Sequence, residues 1–233
     1  MEHKNNCLIC GSELVYSEAL QPMHCYYCGQ DFESQAACSE GHFVCDRCHA
    51  APATEIIKTS CLNASSGNPV RLAAEIMKHP SLKMHGPEHH FLVPAVLLAA
   101  YYYRIGQLDQ LDEKLSQAEK RSGFIHGGFC GSHGNCGAAV GTGIFMSLAT
   151  GSTPLSTEGW RQSNMITAES LMSVAMHGGP RCCKRDTYLS LGRAIDFIGK
   201  ELEVSLEKEE NISCEFSHLN KQCLLEGCQY FPG

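Results

Sequence analysis

The run CLICGSELVYSEALQPMHCYYCGQDFESQAACSEGHFVCDRC, residues 7–48, decides how the chain begins to fold. It reads Cys7-x2-Cys10, Cys25-x2-Cys28, then Cys38-x3-His42-x2-Cys45-x2-Cys48. These are eight soft or borderline ligands, the donor count of two tetrahedral sites. The Cys-x2-Cys spacing suits a tight knuckle whose two thiolates face one ion, and glycine follows the knuckle at Gly11 and Gly29. Leu14-Val15-Tyr16 reads as a short strand between the first two pairs. Two ligand pairings stay open. A sequential one joins Cys7, Cys10, Cys25 and Cys28, leaving Cys38, His42, Cys45 and Cys48. A crossed one joins Cys25 and Cys28 with Cys45 and Cys48, leaving Cys7 and Cys10 with Cys38 and His42. His24 and His49 stand beside the pattern as lesser substitutes for His42. Four protein ligands close a zinc site, so both are expected to be structural, folding a segment too short for a core of its own.

Working outward, the chain has 233 residues, 43% of them hydrophobic and 18% charged, which is enough to bury a core. The net charge of −7, without a run of Lys or Arg, argues against a nucleic-acid backbone as principal partner. The opening residues lack the apolar stretch of a secretory signal, and the longest apolar run, 91–103, is too short to span a bilayer. The expected setting is cytoplasmic. There, cysteines serve as metal ligands or reactive thiols rather than disulfides.

The first two cysteine pairs resemble a zinc ribbon, and Cys25 to Cys48 is similar to the first six ligands of a RING or treble-clef finger. No closing Cys-x2-Cys follows Cys48; a pair precedes it instead. The expected organisation is a zinc-binding module over residues 1–52 and a helical, Cys-rich domain over 53–233, making the protein mainly α.

Beyond Pro52 the spacing turns helical. Asn68-Pro69 reads as an N-cap and first turn of a helix that stops before His79-Pro80. Further helices are expected over Phe91–Arg104, Leu108–Arg121, Gly137–Thr150, Asn164–Met176 and Pro180–Leu202. The acidic stretch from Glu201 to Glu210 reads as a solvated helix end or linker, and the tail from Cys214 has no clear period.

Chemistry is expected at two glycine-rich segments. The first, Gly127 to Ala138, is a loop ending with Cys136 at the start of a small-residue helix. The second, His177-Gly178-Gly179-Pro180-Arg181-Cys182-Cys183-Lys184-Arg185, sets two thiols in a first helical turn beside three cations. A helix start and neighbouring cations both depress a thiol pKa. Cys130 and Cys136 are therefore the candidate reactive thiols. Cys182 or Cys183, with Cys214, Cys223 and Cys228 of the tail, offers four thiolates for a [4Fe–4S] cluster, with a third zinc as competitor. The H-x-x-E-H of His85 and His89 is interrupted by Gly86-Pro87, so a metalloprotease helix is not expected. His85, Glu88, His89 and His90 remain candidates to line the glycine-loop pocket. No P-loop, nucleophile elbow or strand-linked dinucleotide motif is present.

Cys136-Gly137-Ala138 with Gly141, followed by Met146-x-Leu148-Ala149-x-Gly151, resembles the core of the redox-active C-GCAxxG-C-C family of anaerobic prokaryotes. Together with the Arg-Cys-Cys-Lys-Arg segment and the tail, residues 55–230 also resemble an uncharacterised domain family of anaerobic bacteria and archaea. The resemblance implies a helical domain with metal or redox chemistry. The function expected is a metal-binding protein of anaerobic metabolism doing redox, sulfur or one-carbon transfer on an unidentified small molecule. The alternative is a non-catalytic zinc scaffold, an accessory partner of a radical-SAM or methyl-transfer enzyme that docks its partner through the zinc module.

Overall fold

The computed structural model describes residues 7–45, 48 and 52–232, so His49 lies outside the described residues. Strand β1 (Leu14–His24) pairs antiparallel with β2 (Asp31–Cys38). The sequence reading anticipates only the first three residues of this ribbon. The turn that closes it is the second knuckle: the Cys25 N–H donates to the Gln30 carbonyl and the Gly29 N–H to that of Cys25, both at 2.9 Å. Gly29 takes φ +63°, a conformation costly for any residue with a Cβ. The register runs from Leu14 opposite Cys38 to His24 opposite Asp31, with a shift between Tyr16 and Gln21 that leaves extra residues on β1.

Everything described after Pro52 is helix, turn or irregular chain, as expected: α1 (Ala53–Leu62), α2 (Pro69–Met77), α3 (Glu88–Ile105), α4 (Leu111–Ser122), α5 (Phe129–Ser132), α6 (Gly137–Ala149), α7 (Glu158–His177) and α8 (Cys183–Glu201). The Asn68 side chain caps α2, its Oδ1 accepting the Arg71 N–H at 2.9 Å, and Pro69 follows in the first turn. Helix α8 begins at Cys183, later than the expected Pro180. Cys182 keeps an extended backbone and serves as the N-cap, its sulfur accepting the Arg185 N–H at 3.5 Å.

Helix α3 is the axis of the helical body, buried from Phe91 through Ala100. Pro94 lies inside it and offers no N–H to the His90 carbonyl one turn back. Ser122 at the end of α4 takes over, donating its Oγ–H to that carbonyl at 3.1 Å. Helix α6 crosses α3 and α7 at close range because its contact positions lack side chains. A Cβ at Gly141 would stand 2.8 Å from Pro94 Cδ, and one at Gly143 would stand 3.0 Å from the Ser163 carbonyl.

The acidic stretch after α8 is not a solvated linker. The Glu207 N–H donates to the Gly67 carbonyl at 2.9 Å, and Glu209 accepts from the Asn68 side chain at 3.0 Å, so this segment is bonded to the start of α2. The N-terminal ribbon shares one continuous core with the helices. Tyr27 packs edge-on against His79 at 4.9 Å between ring centroids, and the His79 Nε2 lies 2.9 Å from the Cys48 carbonyl.

Candidate metal centres and thiol pocket

The chain path selects the crossed pairing. The ribbon register returns Cys38 to the start of β1, near the first knuckle, where its N–H donates to the His42 carbonyl at 2.9 Å. The next residue, Phe43, accepts the Tyr26 N–H at 2.9 Å, which carries Cys45 back to the second knuckle. The result is two quartets, Cys7/Cys10/Cys38/His42 and Cys25/Cys28/Cys45/Cys48, in each of which the ligand atoms lie within 4.8 Å of one another.

Both quartets fit a tetrahedral ion. Zinc–sulfur bonds of about 2.3 Å put two sulfurs of a tetrahedron about 3.8 Å apart. The Cys28 and Cys45 sulfurs are 3.9 Å apart, and those of Cys10 and Cys38 are 3.4 Å apart. Backbone N–H groups already point at sulfur: Ile9 at Cys7 (3.4 Å), Glu40 at Cys38 (3.3 Å) and Cys45 at Cys25 (3.4 Å). Such donors favour thiolate. Hydrogen bonds from Ser12 pull the Cys10 thiol down to about 6. At Cys25, burial is opposed by the N–H groups of Cys28, Cys45 and Tyr27, and the thiol settles at about 7. The His42 Nδ1 is buried with no hydrogen-bond partner. These quartets can each coordinate a metal ion.

A different geometry surrounds the start of α8. Cys182, Cys214, Cys223 and Cys228 line a single cavity with Arg185 and Tyr188. Cys214 is seated by its N–H, which donates to the Tyr230 carbonyl at 2.7 Å. Three of the four sulfurs accept a backbone N–H: Cys182 from Arg185 at 3.5 Å, Cys214 from Phe216 at 3.4 Å and Cys223 from Leu225 at 3.4 Å. Among the described residues, only the two N-terminal quartets gather ligands at single-ion spacing, so these four are set wider. Lys184 is buried close by, its Nζ donating to the Met77 and Leu82 carbonyls at 3.1 Å each and lying 4.6 Å from the centre of the Phe216 ring.

Residues 57–231 match the family of unknown function DUF5714. The chain belongs to that family. No curated protein and no solved structure matches it. The DUF5714 match takes in all eight scattered cysteines, from Cys61 to Cys228, and leaves the eight ligands of the two quartets outside. No helix among the described residues is long and apolar enough to cross a membrane.

Within the DUF5714 region, the adjacent cysteines 182 and 183 separate. Cys182 opens into the four-cysteine cavity. Cys183 lies within electrostatic reach of Cys130, and Cys136 within reach of Cys183. Cys130 lines a second, open cavity with Gly128, Gly131, Arg181, Arg185 and Asp186. Arg185 thus walls both cavities. Its guanidinium donates to Asp186 at 3.1 Å and to the Gly178 and Pro180 carbonyls at 2.8 and 3.2 Å. The Cys136 sulfur lies 3.9 Å from the Asp186 carboxylate.

Burial reverses one expectation. The helix start was expected to depress the Cys136 thiol. Burial, with the charge of Asp186, instead pushes it up to about 12 against the pull of the Ala138 and Ala139 N–H groups. Burial likewise pushes Cys182 up to about 11 and raises Cys183. The histidine motif disperses. His85 precedes α3, its Nε2 3.2 Å from the Asn220 side chain; the His89 Nδ1 lies 3.2 Å from the Gly86 carbonyl; the His90 Nδ1 lies 3.1 Å from that of Ile125. Neither they nor Glu88 are among the residues lining the open cavity. Asp186 is the residue of this pocket that sequence reasoning missed, whereas Arg185 was among the three cations read beside the thiols. Its one signal is that an acid stands after Lys184 and Arg185, in the run that follows the cysteine pair.

Proposed function

We propose that this chain is a cytoplasmic metal-binding protein of anaerobic metabolism with redox, sulfur or one-carbon chemistry, built in two parts. The N-terminal module, residues 1–52, is a zinc-ribbon or treble-clef-like unit whose two quartets hold structural Zn2+. The helical domain, 53–233, holds a [4Fe–4S] cluster on Cys182, Cys214, Cys223 and Cys228, beside the thiol pocket of Cys130 and Cys136. The observation that carries this reading is the meeting of the α8 N-cap cysteine, Cys182, with three tail cysteines around a single cavity. Their wider setting suits a polynuclear cluster better than a lone ion, and thiolates are its usual ligands. A cluster bound there would supply one-electron transfer.

The protein's own residues prepare the site. Backbone N–H groups aimed at three of the four sulfurs stabilise thiolate and would set the potential of whatever the thiolates hold. The buried Lys184 lies within electrostatic reach of Cys182 and Cys214 and offsets their charge. Arg185 holds the wall between the cluster cavity and the thiol pocket.

Metal analysis of protein purified without oxygen tests the reading. Two zinc ions and about four irons per chain are expected, with a visible absorption band that bleaches on reduction. Three zinc ions and no iron would overturn the cluster, leaving the non-catalytic scaffold as the reading of the helical domain.

A further inference from the structure

Six buried side-chain nitrogen or oxygen atoms lack a hydrogen-bond partner among the described residues, and two of them, the hydroxyls of Tyr27 and Ser60, belong to side chains that line one cavity. That cavity, of about 230 Å³, lies where the second knuckle meets the end of α1 and a face of α2. It shares no lining residue with the four-cysteine cavity or the thiol pocket. Tyr27 is 2% exposed, and its ring is held edge-on between Tyr26 at 5.5 Å and His79 at 4.9 Å, so its hydroxyl cannot swing out to water. Ser60 is 8% exposed in the last turns of α1. A helical serine usually donates to the carbonyl one turn back, as Ser116 and Ser163 do at 2.9 and 2.8 Å, but the Ser60 hydroxyl does not. Buried hydroxyls left unpaired are costly, and two at one cavity mark a place where a ligand gains what the free protein forgoes.

The rest of the lining says what kind of ligand. Both charged side chains at the cavity are already matched: Arg71 lies 3.4 Å from Glu209, and Glu75 lies 3.4 Å from Lys78 and accepts the Tyr26 hydroxyl. Glu209 also accepts from Asn68, so a carboxylate of the chain itself stands where an anion would dock at this rim. No ion is called for. The unmet groups are hydroxyls, which give and accept a proton alike, and their natural complement is another hydroxyl. Leu72 and Ile76 add an apolar wall for ring carbons. We propose that this cavity binds a neutral sugar ring, free or as part of a nucleoside, with Tyr27 and Ser60 hydrogen-bonded to its hydroxyls. Tyr27 stands between Cys25 and Cys28, so the N-terminal module supplies one wall of a site whose other walls belong to the helical body. The site is independent of the cluster and of the thiol pocket.

Saturation-transfer NMR on the full-length protein, with D-ribose and with adenosine, tests it. Saturable binding of ribose assigns the sugar ring itself; binding of adenosine alone assigns a nucleoside. Tyr27→Phe and Ser60→Ala should each weaken the probe that binds about tenfold, the worth of one buried hydrogen bond. Each variant removes a hydroxyl that has no partner in the free protein, so its melting temperature without ligand should equal or exceed that of the wild type. Lost binding is then not lost folding. The 5′-phosphate of the same probe should bind about fivefold more weakly, because Glu209 holds the anion's place. Binding of neither probe overturns the site, as does an affinity unchanged in both variants. A melting temperature several degrees lower in both variants would show that the two hydroxyls are satisfied within the protein, which also overturns it. A phosphate bound as tightly as the neutral probe overturns the neutral ligand.

Discussion

The N-terminal quartets and the cysteines around α8 use the same local device, a sulfur facing a backbone N–H two or three residues on, yet they end in different geometries. In the module, Cys7 and Cys38 receive N–H groups from Ile9 and Glu40, and their ligand sets close to within 4.8 Å. Around α8, Cys182, Cys214 and Cys223 receive theirs from Arg185, Phe216 and Leu225, but the set stays wider and encloses a cavity. The difference lies in what brings the ligands together. Two knuckles and a hairpin fold the module back on itself within 42 residues, and each quartet so formed can coordinate a metal ion, which when bound would stabilise the module. The helical body is assembled by a core around α3, and its thiols are passengers on elements placed for other reasons.

The largest expected effect falls on the module. Cys25 is fully buried in its quartet, so Cys25→Ser should reduce bound zinc from two ions to one. Structural zinc supplies on the order of 10 kcal/mol, so amide exchange across β1 and β2 should speed by orders of magnitude while α3 stays protected. A ribbon that keeps its protection with one zinc would show that packing on Tyr27 and His79, rather than metal, holds it. Next comes the pair that divides the second region. Cys182→Ala should abolish iron binding, whereas Cys183→Ala should leave the iron content of the wild type. Equal loss in both would merge the two cavities into one site.

A smaller effect separates the regions by pH. His89 is buried in α3, and burial, with the charge of Lys184, draws its pKa down to about 3 from 6.5. Below about 6.5 the unfolded chain takes up a proton that the folded chain refuses, so the stabilising contribution is complete above that pH. It is lost as pH falls toward 3, at a limiting slope of about 1.4 kcal/mol per pH unit. Denaturant melts of wild type and His89→Gln between pH 7 and pH 5, monitored on helix signal, should show a shallower slope in the variant. Identical slopes would place the acid sensitivity in the zinc thiolates rather than in the helical body.

Legibility from sequence follows the same division. The eight module ligands could be read because each Cys-x2-Cys is a local knuckle, but the crossed pairing could not, since it depends on the register that sets Cys38 opposite Leu14. Helix α2 was legible through Asn68-Pro69, a cap that works within one turn. The role of Asp186 was hidden because its meaning comes from Cys136, fifty positions away. The acidic stretch misled for a similar reason. Glu207 and Glu209 look like solvated charges until Gly67 and Asn68 are seen to bind them.

The smallest expected effect isolates the helical core from every metal. Pro94 deprives the His90 carbonyl of its helical donor, and the Ser122 hydroxyl replaces it at 3.1 Å. Ser122 is itself buried, so in Ser122→Ala water has little access to the exposed carbonyl. The cost should be about 1–2 kcal/mol, that of leaving one buried acceptor unmade. A polar group is removed rather than a large volume, so packing around α3 and α6 should persist, and with it the positions of Cys136 and Cys183. Zinc and iron contents should then equal those of the wild type while the melting temperature falls by a few degrees. A Ser122→Ala protein that loses iron would mean that the four-cysteine cavity is held open by the α3–α4 contact, and that its thiols are not passengers but part of what the core is built to place.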